Sequence, residues 1–392
     1  MCLQYTNKKT EKEIFDNIPD IAFVPANTTN SPNFLIHANN CIALKQLITN
    51  FNLAGKIDLV YIDPPFATNN TFTISEGRAN TISNSADGTV AYTDTLRGAD
   101  FIEFLRERLT LIKMLLSEKG SIYLHIDYKI GHYVKVLMDE IFGIENFRND
   151  ITRIKCNPKN FTRKGYGNIK DMILFYSKSD NLIWNEPKIS YTEDDKIKLF
   201  SKIEKSGRRY TTIPLHAPGE TKKGKTAQPF KGILPPPGRH WRSEVSVLEQ
   251  LDEDGLIEWS ENGNPRKKIY FDQQEGKRIQ DIWEFKDPQY PLYPTEKNAD
   301  LLDLIIKTSS DKNSIVLDCF AGSGTTLKAA QGNERQWIGI DQSEEAIKTA
   351  ISKLDGIKTD LFTQKSKYQL LLESSVEKSI DSHPKRQFSP KG

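Results

Sequence analysis

The first chemically distinctive stretch of the chain lies where the apolar segment LVYI runs directly into Asp63-Pro64-Pro65-Phe66. The apolar segment has the composition of a buried strand. Two consecutive prolines remove two backbone donors and hold the chain extended, so no helix begins here. A carboxylate that can accept hydrogen bonds and an aromatic ring are therefore held stiffly at the carboxyl end of a strand.

A second distinctive stretch, VLDCFAGSGTT over residues 316–326, places Gly322 and Gly324 between a predicted strand and a predicted helix. Glycines at such a turn let backbone N–H groups approach a ligand at the helix N-terminus. Asp341 ends the next predicted strand, where an acid can accept both hydroxyls of a ribose. A nucleoside-containing cofactor and a plain tight turn both fit. The Lys-Ser/Thr of a P-loop is missing, and Leu327 replaces the third glycine of a full GxGxxG fingerprint.

Composition excludes several classes of protein. The 392 residues are 37% hydrophobic and 27% charged, and no apolar run approaches the roughly 20 residues that a membrane-spanning helix needs. The N-terminus has no apolar h-region, so we expect a cytoplasmic protein without a membrane partner. The cysteines stand singly, so neither a metal site nor a disulfide framework is expected. They are Cys2, Cys41, Cys156 and Cys319.

Positive charge is concentrated in the middle of the chain. Residues 151–245 hold 20 Lys and Arg against 9 Asp and Glu, a net charge of +11, although the whole chain has a net charge of only +2. Such an asymmetry indicates a polyanionic partner for the middle segment.

The order of predicted elements indicates an α/β protein with an insertion. Strand and helix patterns alternate over 33–150 and return after about 290, whereas the pattern breaks down between them. We predict a peripheral N-terminal segment, two core halves separated by an inserted module, and a polar tail. Their bounds are 1–32, 33–150, 151–290, 291–365 and 366–392. Residues 67–98, rich in Asn, Thr, Ser and Gly, are predicted to be a long mobile loop.

Together, the DPPF tetrad and the FAGSG turn resemble the motifs of the amino-methyltransferases of DNA. The tetrad precedes the turn, as in the family's β group, which is circularly permuted relative to ordinary methyltransferases. Further stretches resemble β-group adenine enzymes of restriction-modification systems, including type II and type III modification enzymes: GRHWR, GLIEWS, GNPRKKIYF, QDIWEFKDPQYPLYPTEKN and GID. The resemblance covers about residues 33–355. It implies a Rossmann-like, seven-stranded, mostly parallel sheet whose inserted module recognises the DNA target.

The resemblance also implies a reaction, transfer of a methyl group from S-adenosylmethionine to the N6 amine of a flipped adenine. Asp63 and the carbonyl of Pro64 would each accept one N–H of the amine, and Phe66 would stack on the base. Pro64 and Pro65 would keep the acceptors rigid. Aspartate in the first position is associated with adenine, whereas Ser or Thr there is typical of cytosine-N4 enzymes.

The family's cofactor contacts fall on identifiable residues. Asp318 would face the amino group of the methionine moiety, Asp341 the ribose, and Thr295 and Lys297 the carboxylate. Asn40 would pair with the adenine edge of the cofactor. The remaining cofactor-binding residues would be those of the turn, namely Phe320, Ala321, Gly322, Ser323, Gly324 and Thr325.

Double-stranded DNA is the expected macromolecular partner, with a cognate restriction endonuclease and a second copy of the chain left open. Basic side chains with an interleaved histidine would contact phosphates and guanines. They are Arg208, Arg209, Lys222, Lys223, Lys225, Arg239, His240 and Arg242.

Other functions remain open at this point. The same chemistry on cytosine N4, or on a base in structured RNA, uses the same motifs. An NAD-dependent dehydrogenase would need a catalytic His or Tyr-Lys arrangement near the turn, and none is visible. A DNA-binding protein with an inactive core is disfavoured, because every chemical position of the tetrad is intact.

Overall fold

The computed structural model describes residues 2–65, 71–75, 78–80, 89–93, 98–158, 164–287, 297–356 and 368–374, with the three short ranges from 71 to 93 described by their backbone. The chain forms two compact units. The core unit contains Met1–Glu186 and Gln280–Gly392, and the inserted unit contains Pro187–Ile279.

The described helices are α1 (Glu11–Asn17), α2 (Asn40–Thr49), α3 (Gly98–Leu115), α4 (Tyr128–Phe142), α5 (Glu193–Leu199), α6 (Val245–Glu253), α7 (Ala299–Ser309), α8 (Thr325–Gly332) and α9 (Glu344–Asp355). The described strands are β1 (Phe23–Pro25), β2 (Phe34–His37), β3 (Ile57–Ile62), β4 (Thr71–Ser75), β5 (Arg78–Asn80), β6 (Thr89–Thr93), β7 (Leu116–Ile126), β8 (Phe147–Ile154), β9 (Lys170–Ser177), β10 (Lys188–Ile189), β11 (Lys202–Ile203), β12 (Arg209–Pro214), β13 (His216–Pro218), β14 (Arg239–Trp241), β15 (Ile257–Trp259), β16 (Pro265–Tyr270), β17 (Lys277–Arg278), β18 (Ile282–Trp283), β19 (Ile315–Asp318), β20 (Gln336–Asp341) and β21 (Gln369–Glu373).

The core unit is built on one mixed sheet with the strand order β1-β21-β2-β20-β19-β3-β7-β9-β8-β18. The six strands from β21 to β7 are parallel to one another. Antiparallel pairs occur only towards the two edges of the described sheet. The predicted mostly parallel α/β sheet is therefore confirmed. The predicted count of seven strands is wrong, since this sheet has ten described strands and short segments extend both of its edges.

Both chain ends contribute to this sheet, contrary to the predictions of a peripheral segment over 1–32 and a polar tail over 366–392. A capping box of Thr10 and Glu13 begins α1, which buries Ile14. The short β1 pairs with β21, and β21 buries Leu371. The apolar sequences FVP and QLLLE are long enough to complete a sheet edge, although too short to stand out as strands in the sequence.

Parallel strands are covered on both faces, which explains why β3 reads as a nearly continuous apolar run. Leu59, Val60 and Ile62 have no exposed surface. The segments NFLIHANN and QWIGIDQ are adjacent in the sheet, because β2 pairs in parallel with β20. In β20, a Cβ on Gly339 would lie 2.3 Å from a methyl carbon of Leu327, so the glycine lets α8 pack closely on the sheet.

The predicted loop over 67–98 contains regular structure. The strands β4, β5 and β6 form an antiparallel three-stranded sheet in the order β5-β4-β6. The prediction of an unstructured loop is wrong for these strands, because β-pairing arises here without clear apolar alternation. The other residues of this stretch lie outside the described ones, and its mobility stays a prediction.

The inserted unit is smaller than the predicted module over 151–290. Residues in β8 and β9 pair with one another and, through β9, with β7 of the core sheet. The inserted unit has its own sheet, β11-β12-β16-β15, and a hairpin turn at Asn262 and Gly263 joins β15 to β16. A small apolar cluster includes Phe230 and Trp241. Residues 187–279 hold 18 Lys and Arg against 14 Asp and Glu, a net charge of +4.

No helix in the described part of the chain is both long and apolar enough to cross a membrane.

Candidate active site

The carboxyl ends of β3 and β19 lie side by side. The two strands are parallel neighbours, with Val60 opposite Leu317. Parallel neighbouring strands have their carboxyl ends on the same side of a sheet. Asp63 and Asp318 therefore both lie at the carboxyl ends of the strands, side by side. Asp341 ends β20, which is parallel to β19, and lies at this edge too. The two motifs, which are far apart in the sequence, are therefore brought together.

The two carboxylate oxygens of Asp63 have different surroundings. Lys297 Nζ lies 2.7 Å from Oδ2, and the two side chains are 10% and 15% exposed. Oδ1 is buried and has no hydrogen-bond partner among the described residues. His125 Nδ1 lies 3.8 Å from Oδ1, beyond hydrogen-bond distance. A buried acceptor without a donor is costly and calls for a physical explanation.

The prolines of the tetrad hold this carboxylate in place. Pro64 is buried and Pro65 half-buried, directly after β3. Their rings restrict the backbone, so the position of Asp63 follows from the end of the strand. Phe66 and Thr295 lie outside the described residues, and their roles stay predictions.

The turn after β19 is built around Asp341. Its Oδ2 accepts the N–H of Gly322 at 2.8 Å, and its Oδ1 accepts the N–H of Ser343 at 2.9 Å. Gly322 and Gly324 have φ angles of +50° and +73°, which residues with side chains rarely adopt. A Cβ on Gly324 would also lie 2.9 Å from the Cβ of Ala350 in α9. The backbone conformation favours glycine at both positions, and the close approach of α9 also requires it at Gly324.

Burial sets the electrostatics of this turn. Asp318 is 3% exposed, and its Oδ1 accepts the N–H of Phe320 at 3.0 Å. Burial raises the pKa of Asp318 to about 7, and the neighbouring carboxylates of Asp63 and Asp341 contribute to the rise. Burial also raises the pKa of Asp341. A ligand that brings an ammonium group or hydroxyl donors would stabilise the charged forms of these carboxyls.

The remaining residues of the turn fasten it to the surrounding elements. The hydroxyls of Ser323 and Thr325 lie 3.0 Å apart, and Lys353 Nζ of α9 donates to both at 2.8 Å. Ala321 donates its N–H to a carbonyl of β20. The ring of Phe320 packs against α3. These contacts hold the turn against α3, α9 and β20.

Asn40 makes two hydrogen bonds within the protein, and its predicted contact with the adenine edge of a cofactor stays a prediction. Asn40 Oδ1 accepts from Arg108 Nε at 2.7 Å, and Nδ2 donates to the carbonyl of Cys319 at 3.0 Å. Asn40 and Arg108 are both buried. Both ends of the amide are therefore engaged in joining α2 to α3 and to the end of β19.

Lys297 contacts Asp63, as described above, and the structure gives it a partner that the sequence did not indicate. Its predicted contact with the carboxylate of the cofactor stays a prediction.

The predicted DNA-contacting residues lie in the inserted unit and differ in how they are held. Arg208 donates to both oxygens of Asp272, at 2.8 and 2.9 Å, and lies over the ring of Tyr270. Lys225 pairs with Glu244 at 2.9 Å. Lys222 and Lys223 are exposed, as are Arg239 and Arg242. Arg209 and His240 are half-buried, and each contacts a backbone carbonyl.

Sequence reasoning missed a buried polar cluster behind Asp63. It consists of Tyr61, His125, Arg153, Lys155 and Asp171. The one available signal was a histidine inside the apolar run SIYLHI, where a buried polar side chain needs a partner.

Comparisons with known proteins agree on a family. Residues 57–352 match the family model described as DNA methylase, N6_N4_Mtase. The type II methyltransferase M.EcaI of Enterobacter cloacae is 40% identical over 328 residues, which are 82% of this chain and 69% of that protein. The type III restriction-modification enzyme StyLTI Mod subunit of Salmonella typhimurium is 25% identical, over 91% of this chain and 59% of that protein.

A solved structure, the M1.HpyAVI-SAM complex, aligns with 82% of this chain and 100% of that chain, at 18% identity and a TM-score of 0.42. That likeness is too low to bear on the ligands of this chain. The family model covers most of the chain, and the type II relative covers more than two thirds of it at 40% identity. The chain therefore belongs to the DNA methylase family of S-adenosylmethionine-dependent methyltransferases.

Proposed function

We propose that this methyltransferase modifies the N6 amine of an adenine flipped out of duplex DNA. The observation that carries the proposal is the buried Oδ1 of Asp63, which lacks a partner among the described residues and lies at the strand edge that carries the glycine turn. An exocyclic amine is a poor nucleophile, because its lone pair is delocalised into the ring. A fixed acceptor at this edge can hold and orient such an amine.

The described residues fit S-adenosylmethionine. Asp318 would hold the amino group of its methionine moiety, Asp341 would accept its ribose hydroxyls, and the turn at Gly322 and Gly324 lets the backbone approach it. When bound, this cofactor supplies an electrophilic methyl group on sulfur.

The tetrad performs the orienting step. Asp63 Oδ1 accepts one N–H of the amine, and the carbonyl of Pro64 accepts the other, so the nitrogen lone pair is turned away from both acceptors. Lys297 anchors the opposite carboxylate oxygen at 2.7 Å and prevents the side chain from rotating away. Because the prolines already fix both acceptors, little ordering is needed at the moment of reaction.

Adenine is proposed over cytosine because the tetrad begins with Asp63, which is associated with adenine enzymes in the family that this chain resembles. The test is incubation of the purified chain with labelled S-adenosylmethionine and unmethylated bacterial genomic DNA, followed by chromatography of the nucleosides. Label in N6-methyl-2′-deoxyadenosine supports the proposal. Label in N4-methyl-2′-deoxycytidine would assign the second candidate function, and no label in any nucleoside would contradict both.

We also propose that the core is circularly permuted relative to ordinary methyltransferases. The tetrad lies in the first core half and the cofactor turn in the second, an order that supports circular permutation of the β-group type. The inserted unit separates the two halves, and we assign target recognition to it.

Binding of DNA by the inserted unit can be tested by measuring how the affinity for DNA changes with salt concentration. Each neutralised phosphate contributes a slope of about −0.9 to log affinity against log salt. Replacing Lys222 and Lys223 by alanine is expected to flatten the slope, because both are exposed. Replacing Arg208, which Asp272 already pairs, is the matched control and should change the slope less. Equal slopes in all variants would contradict phosphate contacts by these lysines.

The biological setting is proposed from the named relatives. The chain spans 59% and 50% of two type III Mod subunits that it matches, so partners of those whole proteins are not assumed for it. We propose a restriction-modification role in the cytoplasm, with a cognate endonuclease and a homodimer as partners. Sedimentation of the purified chain, alone and with DNA, tests the dimer, and a single monomeric species in both would contradict it.

A further inference from the structure

Four neighbouring strands of the core sheet carry a buried polar cluster directly behind Asp63. His125 of β7 has no exposed surface, and Asp171 of β9 is 2% exposed. Tyr61 of β3 and Arg153 of β8 are also buried. A cluster of this kind is costly to bury unless every member is satisfied, so its position behind the proposed acceptor calls for a physical reason.

Asp171 determines which nitrogen of His125 carries the proton. His125 Nε2 lies 3.1 Å from Asp171 Oδ2. Although burial would raise the pKa of Asp171, the hydrogen bond from His125 and the ammonium of Lys155 hold it below its usual range. Arg153 lies 3.4 Å from the same carboxylate. An ionised carboxylate can only accept, so Nε2 is the donor.

The imidazole carries only that one proton. Burial, followed by the ammonium of Lys297, lowers the pKa of His125, and these effects outweigh the opposing carboxylates. Nδ1 is therefore an acceptor, and the hydroxyl of Tyr61 donates to it at 3.1 Å. This same nitrogen lies 3.8 Å from Asp63 Oδ1.

The tautomer has a consequence for Asp63. A proton on Nδ1 would make His125 a donor next to Oδ1, and a small side-chain movement would bring the two atoms within hydrogen-bond distance. Oδ1 would then be satisfied from inside the protein. With the proton on Nε2, His125 Nδ1 offers Oδ1 no donor.

We propose that His125 is a positioning residue whose tautomer, set by Asp171, keeps Asp63 Oδ1 available to accept the N–H of the substrate amine. The inference rests on the proposed function and deepens it. Lys297 and the His125–Asp171 pair act on different oxygens of Asp63. Lys297 pairs with Oδ2, whereas Asp171 keeps the proton of His125 on the nitrogen that is remote from Oδ1.

The experiment combines nitrogen NMR with kinetics on the full chain. With ¹⁵N-labelled histidine, the His125 signals are assigned as those missing from His125→Gln. In the wild type we expect a pyrrole-type Nε2 and a pyridine-type Nδ1. A protonated Nδ1 in the wild type would overturn the proposal.

Two nearly isosteric variants separate tautomer control from simple packing. Asp171→Asn can donate to Nε2 and move the proton to Nδ1, and it is expected to lower kcat about 10- to 100-fold. Its dissociation constant for S-adenosylmethionine should stay at the wild-type value. Tyr61→Phe also removes one buried hydrogen bond of His125, but it leaves the Asp171 contact and should keep the wild-type tautomer and a nearly normal kcat.

The outcomes are distinguishable. Equal losses of kcat in Asp171→Asn and Tyr61→Phe would contradict tautomer control, as would full activity in an Asp171→Asn chain with a protonated Nδ1. Absence of methyl transfer by the wild type would instead overturn the proposed function, and the tautomer measurement would remain valid.

Discussion

The ends of β3 and β19 both carry acidic side chains, but the carboxylates have different kinds of partner at the two ends. At the end of β3, Asp63 has an ion pair at one oxygen and no described partner at the other. After β19, Asp318 and Asp341 accept the N–H groups of Phe320 and Gly322 in the turn, and Asp341 also accepts the N–H of Ser343. The first strand end keeps a buried acceptor without a described donor, whereas the carboxyls at the second already hold the backbone of the turn in shape.

The largest expected effect follows from removing the open acceptor. Asp63→Ala should still bind S-adenosylmethionine and DNA, yet transfer methyl groups about 100- to 1000-fold more slowly, as when one oxyanion-hole donor is lost from an enzyme. Single-turnover transfer of labelled methyl groups measures the loss. Asp180→Ala, whose side chain is 90% exposed, is the control. Full activity in Asp63→Ala would make this aspartate a turn residue only.

The turn after β19 should instead be sensitive to a side chain added at one of its glycines. Gly324→Ala places a methyl group 2.9 Å from Ala350 and forces alanine to a φ of +73°. Strain of this kind costs about 1–3 kcal/mol. We expect a lower melting temperature and weaker cofactor binding. Gly332→Ala on the same helix meets no atom within 4 Å and serves as the control. Identical melting temperatures of the two variants would show that the turn tolerates a side chain.

The cofactor end should also respond to pH. The pKa of Asp318, about 7, lies above its ordinary value of 3.8, so the stability that its protonation contributes is lost as the pH rises through 7. An ammonium ligand requires the carboxylate form. The affinity for S-adenosylmethionine should therefore weaken by up to about tenfold per pH unit below 7. Calorimetry measures this, and Asp318→Asn should bind weakly without that pH dependence. A flat profile in the wild type would separate Asp318 from the ammonium.

The smallest expected effect distinguishes two roles of Lys297, orienting Asp63 or binding the carboxylate of the cofactor. Lys297→Met removes the cation from Asp63 Oδ2 and keeps most of the side-chain volume. We expect kcat to fall roughly tenfold, as for other residues that orient a functional group, with cofactor affinity unchanged. Lys312→Met, an exposed lysine paired with Glu334, is the control. A loss of cofactor affinity with normal kcat at saturation would assign Lys297 to the cofactor carboxylate, as the sequence predicted.

The local elements were predictable because they depend on local properties of the chain. The apolar run of β3, the two prolines and the glycines of the turn restrict backbone conformation wherever they occur. The alternation of strands and helices indicated a mostly parallel sheet, and the sheet confirms it. The tetrad and the turn together were sufficient to indicate the family, which the comparisons show.

The sequence by itself thus determined the α/β class, the two motifs and the family, because each depends on residues that are close together in the sequence. Only the tertiary structure decided what surrounds them. It paired Lys297 with Asp63, engaged Asn40 with Arg108, and placed His125 between Asp63 and Asp171. These contacts join strands and helices that are distant in the sequence, and their partners are set by sheet order and burial, which no local pattern encodes.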